Sequence, residues 1–185
     1  ELLKNRHREL REDFDEDFSI RLHRALSWLE RAELETTDAD AGFIFYWISF
    51  NANYSIDQSS DERLSEGQRF RDYFTLLITC DSDNQIYSLV WQRFTQEIRS
   101  ILNNEFIFAN FWLEDRTITP ISWRDKFEES KIVVQKALTA KNTDVILQIL
   151  FSRLYVLRNQ LIHGNATWGG RVNRQQVKDS YRLIS

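Results

Sequence analysis

One long apolar segment, residues 144–164, constrains the fold of this chain more than any other stretch. It holds no proline and no glycine before Gly164, and Asp144 and Gly164 are typical residues for the start and the end of a helix. At about 100° per residue, its aliphatic side chains share one face, namely Ile146, Leu150, Leu154, Leu157 and Leu161. Because a helix that is apolar on almost every side is buried, we predict that this segment is the central helix of the fold.

A polar stripe interrupts the central helix. It consists of Gln148, Ser152, Tyr155, Asn159 and His163, about opposite the aliphatic face. Burying polar groups without partners costs free energy, so the stripe requires a reason. Two interpretations stay open at this point: the stripe faces solvent, or it lines a site or a subunit contact.

Arg158 and His163 flank this stripe and are the best candidates for chemistry. They lie five residues apart, which on a helix means about 140° in azimuth and roughly 7.5 Å along the axis. Asn159 and His163 are four residues apart and can hydrogen-bond, which would orient the imidazole ring. An arginine fork matches phosphate oxygens, and histidine exchanges protons near neutral pH. RNA carries its own nucleophile, the 2′-hydroxyl, so these groups suit RNA cleavage without a serine, a cysteine or a metal.

The six residues from Arg158 to His163 read R-N-x-x-x-H, late in a long hydrophobic helix and followed at once by glycine. This pattern resembles the signature of the HEPN superfamily. Two pairs of stretches resemble its Apea-like branch: 23–33 with 43–54, and 153–168 with 172–184. The resemblance implies an all-α, HEPN-like up-and-down helical bundle with additional helices, in which residues 1–185 form a single domain. It does not extend to residues 55–140.

For function, the resemblance implies a metal-independent endoribonuclease in defence or toxin–antitoxin function, in which Arg158, Asn159 and His163 of two protomers converge on one cleft. The expected partners are a second copy of the chain, RNA or a nucleotide, and an antitoxin protein, with no cofactor. The alternative is a non-catalytic HEPN helical dimer that binds a nucleotide or a partner protein. The candidate binding residues are Tyr155, Ser152, Gln148, Asn173 and Arg174.

Composition agrees with a helical protein, since the chain has only 5 glycines and 1 proline and 42% of its residues are apolar. A single cysteine, Cys80, excludes an internal disulfide, and we expect a cytoplasmic location. The strongly apolar run 42–50 is too short to span a bilayer, so we expect no membrane partner. A net charge of −4 argues against a protein that coats polyanions and leaves room for a local basic groove. Histidines and cysteines at metal-ligand spacing are missing, so no metal is expected.

The other elements follow from periodicity and capping signals. Residues 1–17 are expected to form a charged, solvated arm, and residues 105–114 a short helix or a hydrophobic plug. Thr37 and Asp40 have the spacing of a capping box. Helices are predicted at about 18–35, from Asp40 to about Tyr54, and at 61–79, 84–103, 123–140 and from about 172, with loops at 55–62 and 115–122. The chain has no methionine and ends inside a helical pattern, so we expect a trimmed N-terminus and a shortened last helix.

A second face combines cations with an aromatic ring. Arg21, Arg24, Trp28 and Arg31 recur at helical spacing on the helix predicted at 18–35. Such a face can hold phosphates and stack bases, or it can be a solvated face with one half-buried tryptophan. Sequence leaves both interpretations open.

Overall fold

The computed structural model describes residues 1–54, 66–112 and 122–185. Over these residues the chain is all-α and contains no strand, which confirms the predicted fold class. The described helices are α1 (Leu2–Leu10), α2 (Glu16–Glu33), α3 (Ala39–Tyr54), α4 (Glu66–Cys80), α5 (Gln85–Ser88), α6 (Thr95–Leu102), α7 (Trp123–Thr139), α8 (Thr143–Ile162) and α9 (Arg174–Ile184). The chain groups into two compact units, Glu1–Arg63 with Ile184–Ser185, and Leu64–Leu183. The expectation of a single HEPN-like domain stays a prediction.

The first unit is built around the pairing of α2 with α3. Small residues on α2, Ala25 and Ala32, are buried, and on α3 the rings of Phe43 and Trp47 are fully buried. The Ser49 hydroxyl donates to the Ala25 carbonyl oxygen at 2.8 Å, so the two helices approach closely at the alanine. The predicted charged arm contains α1, which packs on α2.

The cap of α3 differs from the prediction by one residue. The Asp38 carboxylate accepts hydrogen bonds from the backbone N–H groups of Asp40, at 3.0 Å, and Ala41, at 3.1 Å. Asp38 is therefore the N-cap of α3, and the predicted capping box of Thr37 and Asp40 was wrong. An aspartate directly before the first helical residue satisfies two of the amide groups that a helix leaves unpaired at its start.

The second unit is organised around α8, against which α4, α6 and α7 pack. The predicted aliphatic face is confirmed over most of its length, because Ile146, Leu150, Leu154 and Leu157 are buried, while Leu161 near the helix end is half-buried. From the α4 side, the ring of Phe74 lies 4.5 Å from that of Phe151, centroid to centroid. Among the described residues, α8 is the one helix that by length and composition could cross a membrane. The core helix of a soluble protein has the same properties, and here α8 is packed among other helices.

Both ends of α8 are capped. At the start, the Asn142 side chain accepts from the Val145 N–H at 3.1 Å, so the N-cap is Asn142 and the prediction of Asp144 was wrong. Asp144 lies in the first turn, where its negative charge interacts favourably with the helix dipole. At the end, Gly164 has φ 72°, and the Asn165 N–H donates to the Gln160 carbonyl at 2.8 Å. These contacts form a Schellman motif and confirm the predicted glycine stop.

The helix predicted at 84–103 is interrupted. Residues Leu89–Arg93 form a π turn between α5 and α6, in which the Phe94 N–H donates to the Leu89 carbonyl at 3.0 Å. One inserted residue in a helical turn changes the hydrogen bonding without breaking the apolar pattern, so periodicity cannot reveal it. The described part of the segment predicted as a short helix or plug, residues 105–112, contains the 3₁₀ turns Glu105–Ile107 and Ala109–Trp112.

On α7, the sequence pattern predicts an apolar side of Phe127, Ile132, Val133 and Leu138, and this prediction was partly wrong. Phe127 is buried as predicted, whereas Ile132 and Val133 are exposed and Val134 and Ala137 are buried instead. Positions 127, 134 and 137 share one side of the helix, and 132 and 133 lie away from it. Three predictions lie outside the described residues. They are the loop at 55–62, the loop at 115–122 except for its last residue, and the start of the helix predicted at 61.

Candidate functional site

His163 occupies the C-cap of α8 and is exposed. Its backbone N–H donates to the Asn159 carbonyl at 3.0 Å, and the Schellman motif then turns the chain away at Gly164. The motif satisfies the carbonyl groups at the helix end without using the imidazole. The ring is therefore held at the end of a rigid helix with access to solvent.

Arg158 lies one turn earlier and is half-buried. Its Nη1 donates to the Asn159 side-chain oxygen at 2.8 Å, and its guanidinium carbon lies 5.5 Å from the centroid of the Tyr155 ring. These two contacts fix the plane of the guanidinium group. The predicted hydrogen bond between the Asn159 and His163 side chains does not form, because the Asn159 side-chain oxygen accepts from Arg158 instead. Asn159 therefore positions the arginine and not the histidine.

The polar stripe is not one open surface. The Gln148 amide donates to the Asp144 carboxylate at 2.8 Å, and the Ser152 hydroxyl donates to the Gln148 carbonyl at 2.8 Å, so α8 itself supplies their partners. The Tyr155 ring packs edge-on against Phe70 of α4, with centroids 6.3 Å apart. Within the stripe, Ser152 and His163 are exposed, whereas Gln148, Tyr155 and Asn159 are half-buried, so the accessible part is narrower than the whole stripe.

The other two candidate binding residues lie at the start of α9. Asn173 precedes the helix and its carbonyl accepts from the Val177 N–H at 3.0 Å, and Arg174 is the first helical residue. Both side chains are half-buried. In the described part of the chain, no hydrogen bond or ion pair joins either one to Arg158, Asn159 or His163. The contact that joins Arg158 to Asn159 therefore does not extend to these two residues.

Sequence reasoning missed Arg153, the most buried cation of α8 in the described ranges, which is only 4% exposed. Its guanidinium carbon lies 4.3 Å from the Phe108 ring centroid and 5.5 Å from that of Phe127, and Nη2 donates to the Ser130 hydroxyl at 3.0 Å. Burial lowers the pKa of the Arg153 guanidinium to about 10. The signal was a lone arginine among the aliphatic residues of α8. Its contacts are structural, because they fasten α8 to α7 and to the segment before it.

Gln160 was also missed. It is buried, and its amide donates to the Phe106 carbonyl at 2.7 Å. The Trp112 indole donates to the same carbonyl at 2.8 Å. Gln160 therefore fastens the last turn of α8 to the 3₁₀ segment, next to the residues that carry the candidate chemistry.

The charge of the segment that carries this site is one-sided. Residues 145–178, which include the whole R-N-x-x-x-H stretch, contain no aspartate or glutamate, and their charged residues are Arg153, Arg158, Arg171, Arg174 and Lys178. This acid-free segment stands within a chain of net charge −4. Within the described ranges, no group of three or more histidine, cysteine, aspartate or glutamate residues is arranged to hold a metal ion.

Comparison with known proteins gives no match to a family model, to a curated protein or to a solved structure. The HEPN resemblance therefore stays a prediction that rests on the residues of the motif and on their place at the end of α8.

Proposed function

We propose that the chain is a metal-independent endoribonuclease whose site combines Arg158 of one protomer with His163 of a second copy. The observation that supports this most is the end of α8. There, an exposed imidazole and an arginine positioned by Asn159 lie within an acid-free segment. This activity needs no cofactor and no membrane. It belongs in the cytoplasm, in defence or toxin–antitoxin function, with an antitoxin protein as a further partner.

The chemistry requires one proton carrier and one cation. The His163 imidazole accepts the proton of the RNA 2′-hydroxyl, and the 2′-oxygen bonds to the adjacent phosphorus. The bond from phosphorus to the 5′-oxygen then breaks, and the imidazolium returns its proton to that oxygen. The products are a 2′,3′-cyclic phosphate and a free 5′-hydroxyl. The Arg158 guanidinium donates to the phosphate oxygens, where negative charge increases in the transition state.

Two protomers are needed because one helix keeps the two groups apart. Arg158 and His163 differ by about 140° in azimuth, so they do not face one phosphate from the same α8. In a symmetric dimer the accessible part of the stripe contacts its own two-fold mate, and the Arg158 of each chain then approaches the His163 of the other. The packing of Tyr155 on Phe70 restricts this contact to the side of α8 that carries Ser152, Asn159 and His163.

The direct test is incubation of the purified chain with total RNA, with and without a chelator. We expect cleavage in both cases, and about a 10²- to 10⁴-fold lower rate for His163→Ala and for Arg158→Ala. His23→Ala is the matched control, because His23 is exposed and belongs to the other unit, and it should cleave as the parent does. Since His163 is exposed, His163→Ala should change the free energy of unfolding by no more than about 0.5 kcal/mol. Cleavage that disappears in chelator would contradict the mechanism.

A non-catalytic helical dimer that binds a nucleotide or a partner protein is the second candidate. It is favoured by the net charge of −4 and by the contacts that Arg158 already makes with Asn159 and Tyr155. This function predicts a dimer that binds its ligand and leaves RNA intact, with His163→Ala binding as tightly as the parent.

A further inference from the structure

Trp168 is an exposed aromatic residue that the proposed catalytic step does not use. Its side chain is 75% exposed, and the nearby Val172 is 86% exposed. Both lie in the segment that joins α8 to α9, a few residues after His163. A tryptophan ring offers a large flat apolar surface, and its exposure in a defined turn suggests that it contacts a ligand.

The turn that carries Trp168 is specified by two glycines. The Gly170 N–H donates to the Thr167 carbonyl at 2.9 Å, which places Trp168 and Gly169 at the two central positions of a β-turn. Gly169 has φ 65°, a conformation that few other residues adopt. A side chain at position 170 would bring its Cβ to 2.8 Å from the Thr167 carbonyl oxygen. The turn therefore needs both glycines, and it fixes the position of the indole at its corner.

The charge around the turn suits a polyanion. Arg171 directly follows the turn and is exposed, and the surrounding acid-free segment contributes only cations. The acidic residues that border this segment are already engaged, since Asp144 accepts from Gln148 and the buried Asp179 accepts from Gln175. A basic segment with an exposed aromatic ring is typical of proteins that bind single-stranded nucleic acid.

We propose that Trp168 stacks on an unpaired base of an RNA strand whose phosphates lie against the acid-free segment. The choice of RNA rests on the proposed ribonuclease function. Five residues separate Trp168 from His163, so their Cα atoms lie within about 18 Å of each other, and one strand can contact both. A base inside a duplex is already stacked on both sides, so the ligand is single-stranded RNA.

Binding is measured in the full chain carrying His163→Ala, so that the RNA stays intact. The probe is a short single-stranded oligoribonucleotide with a terminal fluorophore, and the readout is fluorescence anisotropy. Trp168→Leu keeps an apolar side chain and removes the ring, and it should weaken binding about 5- to 150-fold, as loss of one stacked base does. Trp168→Phe keeps a ring and should recover most of the affinity. The duplex form of the same probe should bind equally to all these variants.

Trp28→Leu is the matched control, because Trp28 is an exposed tryptophan on α2, beside the other basic face considered above. It should bind the single strand as the parent does, and circular dichroism should show that every variant keeps its helices. Loss of binding in Trp28→Leu but not in Trp168→Leu would overturn the proposal and place the RNA on α2. Loss of self-association in Trp168→Leu, measured by light scattering, would overturn it in favour of a contact between two copies.

The two proposals fail separately. If the wild-type chain cleaves RNA and Trp168→Leu binds the single strand as tightly as the His163→Ala parent, the stacking role is wrong and the ribonuclease proposal stands. If binding depends on Trp168 and the wild-type chain leaves RNA intact, the stacking role stands and the ribonuclease proposal is wrong. If Trp168→Phe binds as weakly as Trp168→Leu, or if the parent binds no RNA, the stacking role is overturned.

Discussion

Replacing Arg153 by methionine tests how a buried cation is held in the core of the second unit. Burial lowers the pKa of this guanidinium to about 10, which corresponds to roughly 3 kcal/mol against the charged form in the folded state. The contacts of the guanidinium with the Phe108 ring and the Ser130 hydroxyl limit the cost of burial but do not cancel it, since the pKa stays lowered. The charged arginine therefore contributes little net stability.

Methionine removes the desolvation cost together with the two favourable contacts, and it fills the same space beside the Phe108 and Phe127 rings. We therefore expect Arg153→Met to change the free energy of unfolding by no more than about 1 kcal/mol in either direction. Arg153→Ala leaves a cavity and should destabilise by about 2–3 kcal/mol. Arg153→Lys keeps a buried charge without the planar fork, so it should destabilise by about 2 kcal/mol.

The measurement is urea unfolding at neutral pH, monitored by circular dichroism. The free energies of unfolding are compared between variants whose dependence on urea concentration has the same slope. If Arg153→Met proves as unstable as Arg153→Ala, the reasoning is refuted, because the charge would then contribute stability that the observed contacts do not supply. The sign of the pH dependence is also fixed. Since the folded-state pKa is the lower one, the unfolded chain binds more protons in a window that begins at about pH 10. The wild type should therefore gain stability relative to Arg153→Met as the pH rises through that window.

Two further variants test local contacts. Asp38→Ala removes the N-cap of α3 and should lower the free energy of unfolding by about 1 kcal/mol in urea titrations, whereas Thr37→Ala should change it by less than about 0.5 kcal/mol; equal effects would contradict the assigned cap. Asn159→Ala removes the hydrogen bond that positions Arg158, so kcat for RNA cleavage should fall about tenfold or more while KM changes little. A rise in KM with kcat unchanged would show that Asn159 binds substrate and does not position the arginine.

Sequence predicted the parts of the fold that depend on local pattern. The aliphatic face of α8 and its glycine stop follow from spacing and from the conformational freedom of Gly164, and both were found. The N-cap could not be chosen correctly, because Asn142 and Asp144 are both good capping residues and only the position of the first helical turn distinguishes them. The π turn at Leu89–Arg93 leaves no trace in the apolar pattern.

For the candidate site, sequence indicated Arg158, Asn159 and His163 but not how they interact. Asn159 can hydrogen-bond the adjacent Arg158 or the side chain of His163 four residues later, and spacing alone does not decide between them. Coverage of Tyr155 depends on Phe70, a residue of a distant helix that no local pattern connects to α8. Tertiary contacts of this kind determine which polar residues stay accessible, and they cannot be inferred from the local pattern of a single sequence.

The central claim is that each site combines Arg158 of one chain with His163 of another, and mixed dimers test it most directly. Arg158→Ala and His163→Ala chains are each inactive alone and are mixed and allowed to exchange subunits. In a mixed dimer, the intact Arg158 of one chain and the intact His163 of the other form one complete site. Random exchange should therefore restore RNA cleavage to about a quarter of the wild-type rate. The composite site would be contradicted if mixed dimers form and stay inactive. It would also be contradicted if the wild-type chain cleaves RNA as a monomer, with a mass near 22.2 kDa.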